Sequence, residues 1–248
     1  FKCICLGGYT FWLLRRMRLP LHRGAIGGPR AYWPLIKLGF PVAGIAALES
    51  GLFAATSLFS GIMGAVELAA YQMVMGWIAI PFVISLGISE AAMVRVAYFV
   101  GADDPPAARQ AGNLGMVVGV AIPAVLVLIP VFAPGFVSRI FLDPSDPRYA
   151  EIAALVATLL MIAAVFQVFD GLQAIASHAL RGLKDAAIPL LIAGIGYWVI
   201  GLGSGYVFGF RFGWGAPGLW GGVAIGLAFT GTLLAWRFEL LAKRQLPE

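Results

Sequence analysis

Apolar residues run in long blocks along this 248-residue chain, separated by short segments rich in Gly, Pro and charge. The blocks are Pro34 to Phe59, Leu68 to Val100, Asn113 to Pro134, Tyr149 to Asp185, Ile188 to about Phe208, and Leu219 to Trp236. A hydrocarbon core of about 30 Å takes about 20 helical residues, so the pattern predicts six membrane-spanning helices. Between them, GADDPPAARQ reads as a turn, PGFVSRIFLDPSDPR as a loop and SGIMGAVE as a short linker, while Pro81 should kink the second span. The first apolar stretch, Ile4 to Leu14, is too short to span and lacks the flanks of a signal peptide. Since the chain opens on Phe1, that stretch reads as the tail of a helix whose start lies upstream, and a fragment is expected.

The fourth block changes character along its length. It is apolar to Phe166 except for Thr158, after which Gln167, Asp170, Gln173, Ser177 and Arg181 fall on one face at 100° per residue. Such a stripe has to face protein or water, because a lone carboxylate facing lipid costs too much. The first complete span repeats the theme, with Glu49 in mid-span, Thr56 and Ser60 on its face and Phe53 at the edge. Two helices therefore each carry one deep carboxylate. A pair of carboxylates in a low-dielectric cavity needs protons, a metal cation such as Na⁺, or a cationic ligand to neutralise it, and exchange among these is antiport. The bland alternative is that each carboxylate is structural glue between helices.

Composition agrees with the pattern. The chain is 60% hydrophobic and 12% charged, about half the charged fraction of a soluble domain. No period-two alternation suggests a barrel, so the fold class is all-α: a polytopic membrane protein built as a six-helix transmembrane bundle, plus the end of a preceding helix. The net charge of +5 could suggest nucleic acid, but the basic residues sit at the ends of apolar runs, where topology explains them. Of the 17 Lys and Arg, Lys2 belongs to the partial helix and Arg139, Arg148 and Arg211 lie on one side, which leaves 17 − 1 − 3 = 13 on the other. The basic side, with the C-terminus, is expected to be cytoplasmic.

Little else in the chain suggests chemistry. Cys3 and Cys5 lack the second pair of a zinc site, and neither His22 nor His178 has a partner at metal-ligand spacing, so no metal site and no cofactor are expected. Glu90 has Arg95 five residues on and reads as a structural ion pair or a snorkelling group. Tyr71 and Gln72 open the second span, either as cavity lining or as an interfacial anchor. Gly196, Gly201, Gly203 and Gly205 most simply permit close helix contact. No nucleophile and base accompany the carboxylates, so an intramembrane enzyme is disfavoured.

Four stretches carry a family resemblance: LAAYQMVMGW (68 to 77), AAMVRVAYFVGADDPPAAR (91 to 109), FDGLQAIASHALRGLKD (169 to 185) and YWVIGLGSGYVFGF (197 to 210) followed by GLWGG. In order and spacing they resemble the multidrug and toxic compound extrusion (MATE) transporters, the NorM-like branch in particular. That resemblance implies one lobe of a twelve-helix, two-lobe exporter: residues 1–33 as the end of a preceding helix with a basic loop, and 34–248 as the C-terminal six-helix lobe. It implies a cation-coupled antiporter, driven by Na⁺ or H⁺, that exports organic and often cationic compounds by alternating access in the inner membrane. Its partners would be membrane lipid, the small organic cations and the missing N-terminal lobe, without which these residues alone should not transport. Glu49 and Asp170 match acidic family positions implicated in coupling, and Asp185 matches a third. Phe53, Thr56, Gln72, Gln167 and Gln173 are the cavity-lining candidates. Gly203 and Leu183 depart from the family pattern, where Pro and an aromatic are common. A flippase for lipid-linked precursors and a non-transporting membrane subunit remain as alternatives; the flippase would need a cationic cavity to hold phosphate.

Overall fold

The computed structural model describes Gly8, Trp12, Arg16 and residues 29–244, and among these every regular element is helical. Cys3, Cys5 and His22 lie outside the described residues. The chain divides into two units, Phe1–Lys37 and Leu38–Glu248. In the first, the Arg16 guanidinium sits over the Trp12 ring, 5.0 Å from its centroid.

The helices are α1 (Pro29–Met63), α2 (Ala65–Gly101), α3 (Pro105–Phe132), the short α4 (Pro134–Phe141), α5 (Tyr149–Gly182), α6 (Ala187–Arg211) and α7 (Gly215–Arg244). Six of them, all but α4, are long and apolar enough to cross a membrane. Their boundaries extend beyond the apolar blocks because capping chemistry reaches past hydrophobicity. Asp103 adopts a positive φ of 57°, which stops α2. Asp104 then accepts from the Ala107 N–H at 3.1 Å and Pro105 and Pro106 open the first turn of α3, so most of the expected turn GADDPPAARQ is helix. Likewise only Gly64 interrupts the expected linker SGIMGAVE, and α2 runs unbroken through Pro81. The segment read as a loop after the third span is helical over Pro134–Phe141, where Val137 and Ser138 are fully buried and Phe136 meets Trp77 edge-on at 5.8 Å. What remains of that loop is tied by Asp143, whose carboxylate accepts from the Ser145 N–H at 2.9 Å; that hydrogen bond holds its carboxyl below the ordinary range.

The outer surface is apolar. Phe132 is 83% exposed and Val199 69%, as required of a surface that meets acyl chains and not water. Inside, α5 packs against α2, α3 and α7, and α7 packs also on α6. Two apolar cores form along α5. One gathers Leu159, Leu160 and Phe166 with Val74, Ile78 and Trp220; the other gathers Ile175, Ala179 and Leu180 with Val96, Met116 and Phe238. Gln167, Asp170 and Gln173 fall between them, all at most 2% exposed. The first part of the polar stripe read from the sequence, Gln167 to Gln173, is thus a buried layer between two oily ones.

Helices α6 and α7 approach through glycine. A Cβ at Gly205 would lie 2.9 Å from the Leu219 carbonyl oxygen, one at Gly226 would lie 2.5 Å from the Gly201 Cα, and one at Gly218 would lie 2.7 Å from the Phe208 carbonyl carbon. Gly222 meets the Gly205 backbone more closely still. Gly218, Gly222 and Gly226 recur every four residues and so share a face of α7, the small-residue seam of membrane helix pairs. Of the four α6 glycines expected to serve contact, Gly203 differs, since its Cβ would meet only the Trp198 carbonyl at 3.8 Å. α6 carries two π-helical stretches, Ile195–Leu202 and Val207–Arg211, which re-phase its side chains around that seam.

Candidate functional site

A cavity of about 470 Å³ opens between α1, α2 and α5, within the range of small-molecule sites. α1 contributes Glu49, Ser50 and Phe53; α2 contributes Met75, Phe82 and Glu90 among others; α5 contributes Phe166, Gln167, Asp170, His178 and Arg181. Because α1 and α5 run antiparallel, the cavity is layered. At one end Phe53, Phe166, Trp220 and Tyr71 form an aromatic floor, with ring centroids 6.2 Å apart for Phe53 and Phe166, 5.7 Å for Phe166 and Trp220, and 5.7 Å for Tyr71 and Trp220. The floor is pinned by the Tyr71 hydroxyl, which donates to the Phe53 carbonyl at 2.8 Å. Glu49 and Asp170 occupy the middle layer, one from each helix. Arg181 marks the other end, about 16 Å along α5 from Asp170 at 1.5 Å per residue.

Polar groups in the middle layer are buried with few protein partners. Asp170 Oδ1 and both amide atoms of Gln167 have no hydrogen-bond partner among the described residues. Such groups are costly unless water, an ion or a ligand meets them. Their arrangement is suited to desolvating a cation and supplying oxygen in return.

The structure brings together Glu49, Phe53, Gln167 and Asp170 on this one cavity. It does not bring the other candidates there. Thr56 sits behind the aromatic floor, donating to the Leu52 carbonyl at 2.8 Å. Gln72 is exposed and donates to Ser57 Oγ at 3.4 Å. Gln173 is buried beside α7, where its backbone N would lie 3.3 Å from a Cβ on Gly231. Asp185 lies outside the cavity and accepts from Arg237 Nε at 2.6 Å, tying the α5–α6 connection to α7. Loss of a half-buried ion pair leaves its partner uncompensated at a cost of about 1–3 kcal/mol. Asp185→Asn is therefore expected to lower the thermal midpoint of the purified protein by about 2–10 °C, read by a thermal scan.

Glu90, His178 and Arg181 also line the cavity without having been nominated from sequence. Arg95, the expected partner of Glu90, instead places its guanidinium 4.9 Å from the Phe99 ring centroid, and Glu90 Oε1 lies 3.4 Å from His178 Nε2. Arg181 was visible on the Asp170 stripe; Glu90 and His178 gave no sequence signal that tied them together.

Comparison with known proteins follows the same outline. A sequence model of the MatE family matches residues 41–207. The chain is 47% identical over 206 residues to the multidrug resistance protein NorM of Burkholderia vietnamiensis, covering 83% of this chain and 45% of that protein. It is 38% identical over 238 residues to the probable multidrug resistance protein NorM of Pseudomonas putida, covering 96% of this chain and 50% of that one. A crystal structure of a MATE protein in its straight conformation superposes with a TM-score of 0.78 at 15% identity, over 88% of this chain and 48% of that one, a likeness of fold. The chain spans about half the length of the curated relatives it matches.

Proposed function

The chain belongs to the MatE family, whose members are transporters and not enzymes, and from that membership we propose that it forms one lobe of an antiporter exporting organic, often cationic, compounds. One observation carries the reading: Glu49 and Asp170, from two different helices, face a single cavity with apolar walls. Two carboxylates there cannot both remain charged without a compensating cation. A proton, Na⁺ or a cationic substrate each supplies that charge, and only one complement is needed at a time. Arrival of the coupling ion therefore weakens the hold on the substrate, and the reverse. The aromatic floor offers a cation the faces of Phe53 and Phe166. No bond is made or broken.

Export further requires that the cavity face the two sides of the membrane in turn, which a second lobe facing this one would allow. The lobe would lie in the inner membrane with its C-terminus cytoplasmic, the side that carries 13 of the 17 basic residues by the count above. The carboxylates Glu49, Glu90 and Asp170 against the single guanidinium Arg181 keep the lining acidic on balance, which suits a cation and disfavours a phosphate-bearing lipid precursor.

The test is transport by the full-length protein in proteoliposomes, with a Na⁺ gradient and a pH gradient imposed in turn and a fluorescent organic cation as cargo. Cargo movement against its own gradient under either condition is the expected result. Movement that ignores both gradients would remove the antiport reading.

A further inference from the structure

Three side chains gather at the Arg181 end of the cavity: Glu90 on α2, and His178 and Arg181 on α5. His178 is 6% exposed, and its ring makes three close approaches. Nδ1 lies 2.7 Å from the Ala174 carbonyl oxygen, Nε2 lies 3.2 Å from Arg181 Nη1, and the same Nε2 lies 3.4 Å from Glu90 Oε1. An arginine carries only donors and keeps its proton. The contact with Arg181 therefore needs a lone pair on Nε2, which places the ring hydrogen on Nδ1, donating to Ala174. In this tautomer His178 is a neutral hook that holds one edge of the guanidinium, and its Nε2 has no hydrogen to give Glu90. Arg181 Nε is buried with no hydrogen-bond partner among the described residues. The carboxylates that share the cavity with it are Glu90 from α2 and Glu49 from α1.

We propose that Arg181 is the cavity's own counter-cation: it balances Glu49 and Glu90 while no transported cation is bound, and a transported cation has to displace it. His178 is the positioning residue that limits how far Arg181 reaches toward the carboxylates. The inference rests on the antiporter reading and deepens it. An exchanger has to reorient without leaking charge, and a tethered guanidinium lets the cavity change sides without a bare carboxylate cluster. It also sets a threshold for cargo, because a cation that binds must repel Arg181 or send it back to the hook.

The test is equilibrium binding of tetraphenylphosphonium, whose charge does not vary with pH, to the purified full-length protein. Arg181→Gln is expected to tighten binding about 5- to 50-fold, the scale of one unit charge acting over several ångströms in a partly screened site. Arg181→Lys should restore wild-type affinity, and Arg95→Gln, which removes a cation outside the cavity, should leave it unchanged. His178→Gln, which unhooks Arg181, should weaken binding on the wild-type background and have no effect when added to Arg181→Gln. Unchanged or weaker binding by Arg181→Gln overturns the proposal, as does a His178→Gln effect that persists without Arg181. Should Arg181→Gln not be recovered folded, His178→Gln alone decides: weaker binding supports the proposal, and unchanged or tighter binding overturns it. A wild-type protein that does not bind the probe, or that binds it equally well as Glu49→Gln, removes the antiporter reading itself. A normal Glu49→Gln loss with no response at Arg181 overturns the counter-cation alone.

Discussion

Asp170→Asn and Glu49→Gln are each expected to lower efflux of a cationic dye at least about tenfold in cells expressing the full-length protein, with the amount of protein in the membrane unchanged. Both substitutions keep the shape of the side chain and remove its charge. Asp170 is 2% exposed and sits between two apolar cores, so its charge interacts through a medium of low polarity. One charge–charge interaction there exceeds the roughly 1.4 kcal/mol that corresponds to a decade in binding or rate. Stability should respond in the opposite sense, since removing a buried charge with few partners relieves a desolvation cost. A thermal midpoint at or above wild type, together with lost efflux, would separate loss of function from loss of fold. Asp185→Asn provides the contrast: its carboxylate already has Arg237 at 2.6 Å and lies away from the cavity, so efflux should persist while stability falls. Wild-type efflux in both Asp170→Asn and Glu49→Gln would contradict the account.

Gly226→Leu is expected to be severely damaging although it lies outside the cavity. A Cβ there would lie 2.5 Å from the Gly201 Cα and 2.7 Å from its backbone nitrogen, and backbone cannot rotate away as a side-chain tip can. To admit even a methyl group, α6 and α7 must separate, and with them the packing of α7 on α5. Forced overpacking of this kind costs about 1–3 kcal/mol when side chains alone must yield, and more when they cannot. Loss of monodisperse protein in detergent is the expected result. Gly221→Leu is the matched control: it lies five residues earlier on the same helix, and a Cβ at Gly221 meets nothing within 4 Å. Its substitution should leave the elution profile and thermal midpoint near wild type. Equal damage from both substitutions would mean that glycine matters on α7 for some reason other than close approach.

Much of this architecture was legible in the sequence because a membrane leaves few choices. Long apolar blocks must be helices, and the stripe from Gln167 to Arg181 had to face inward. Glu49 and Asp170, which both line the cavity, stood out for the same reason, as each interrupts an apolar run. Where the reading and the structure part, distance along the helix or position around it is responsible. Thr56 shares the Glu49 face but lies seven residues on, about 10 Å further along the axis, which carries it past Phe53 and behind the aromatic floor. Arg95 follows Glu90 by five residues, a spacing that does not bring side chains together on a helix surface; the ring that does meet Glu90, His178, lies 88 residues away on another helix. Asp185 is adjacent to Lys184 in sequence, yet Lys184 adopts a positive φ of 62° and the chain turns there, leaving Asp185 to Arg237 on α7. Contacts of that kind depend on which helices are neighbours, and hydrophobic period carries no such information. The helix α4 was missed because Pro134 and the Asp and Pro residues after Phe141 flank too short a run to register as an element, although Pro at the first turn is also how a helix begins.

The central claim is that Glu49 and Asp170 act on one bound cation and not at two independent places. A double-mutant cycle tests it most directly: tetraphenylphosphonium affinity is measured for Glu49→Gln, Asp170→Asn and the double variant of the full-length protein. Groups that share a ligand couple by more than the few tenths of a kcal/mol typical of distant sites, so the double variant should bind within about threefold of the weaker single. Losses that multiply, as they do for residues that never meet the same charge, would contradict it.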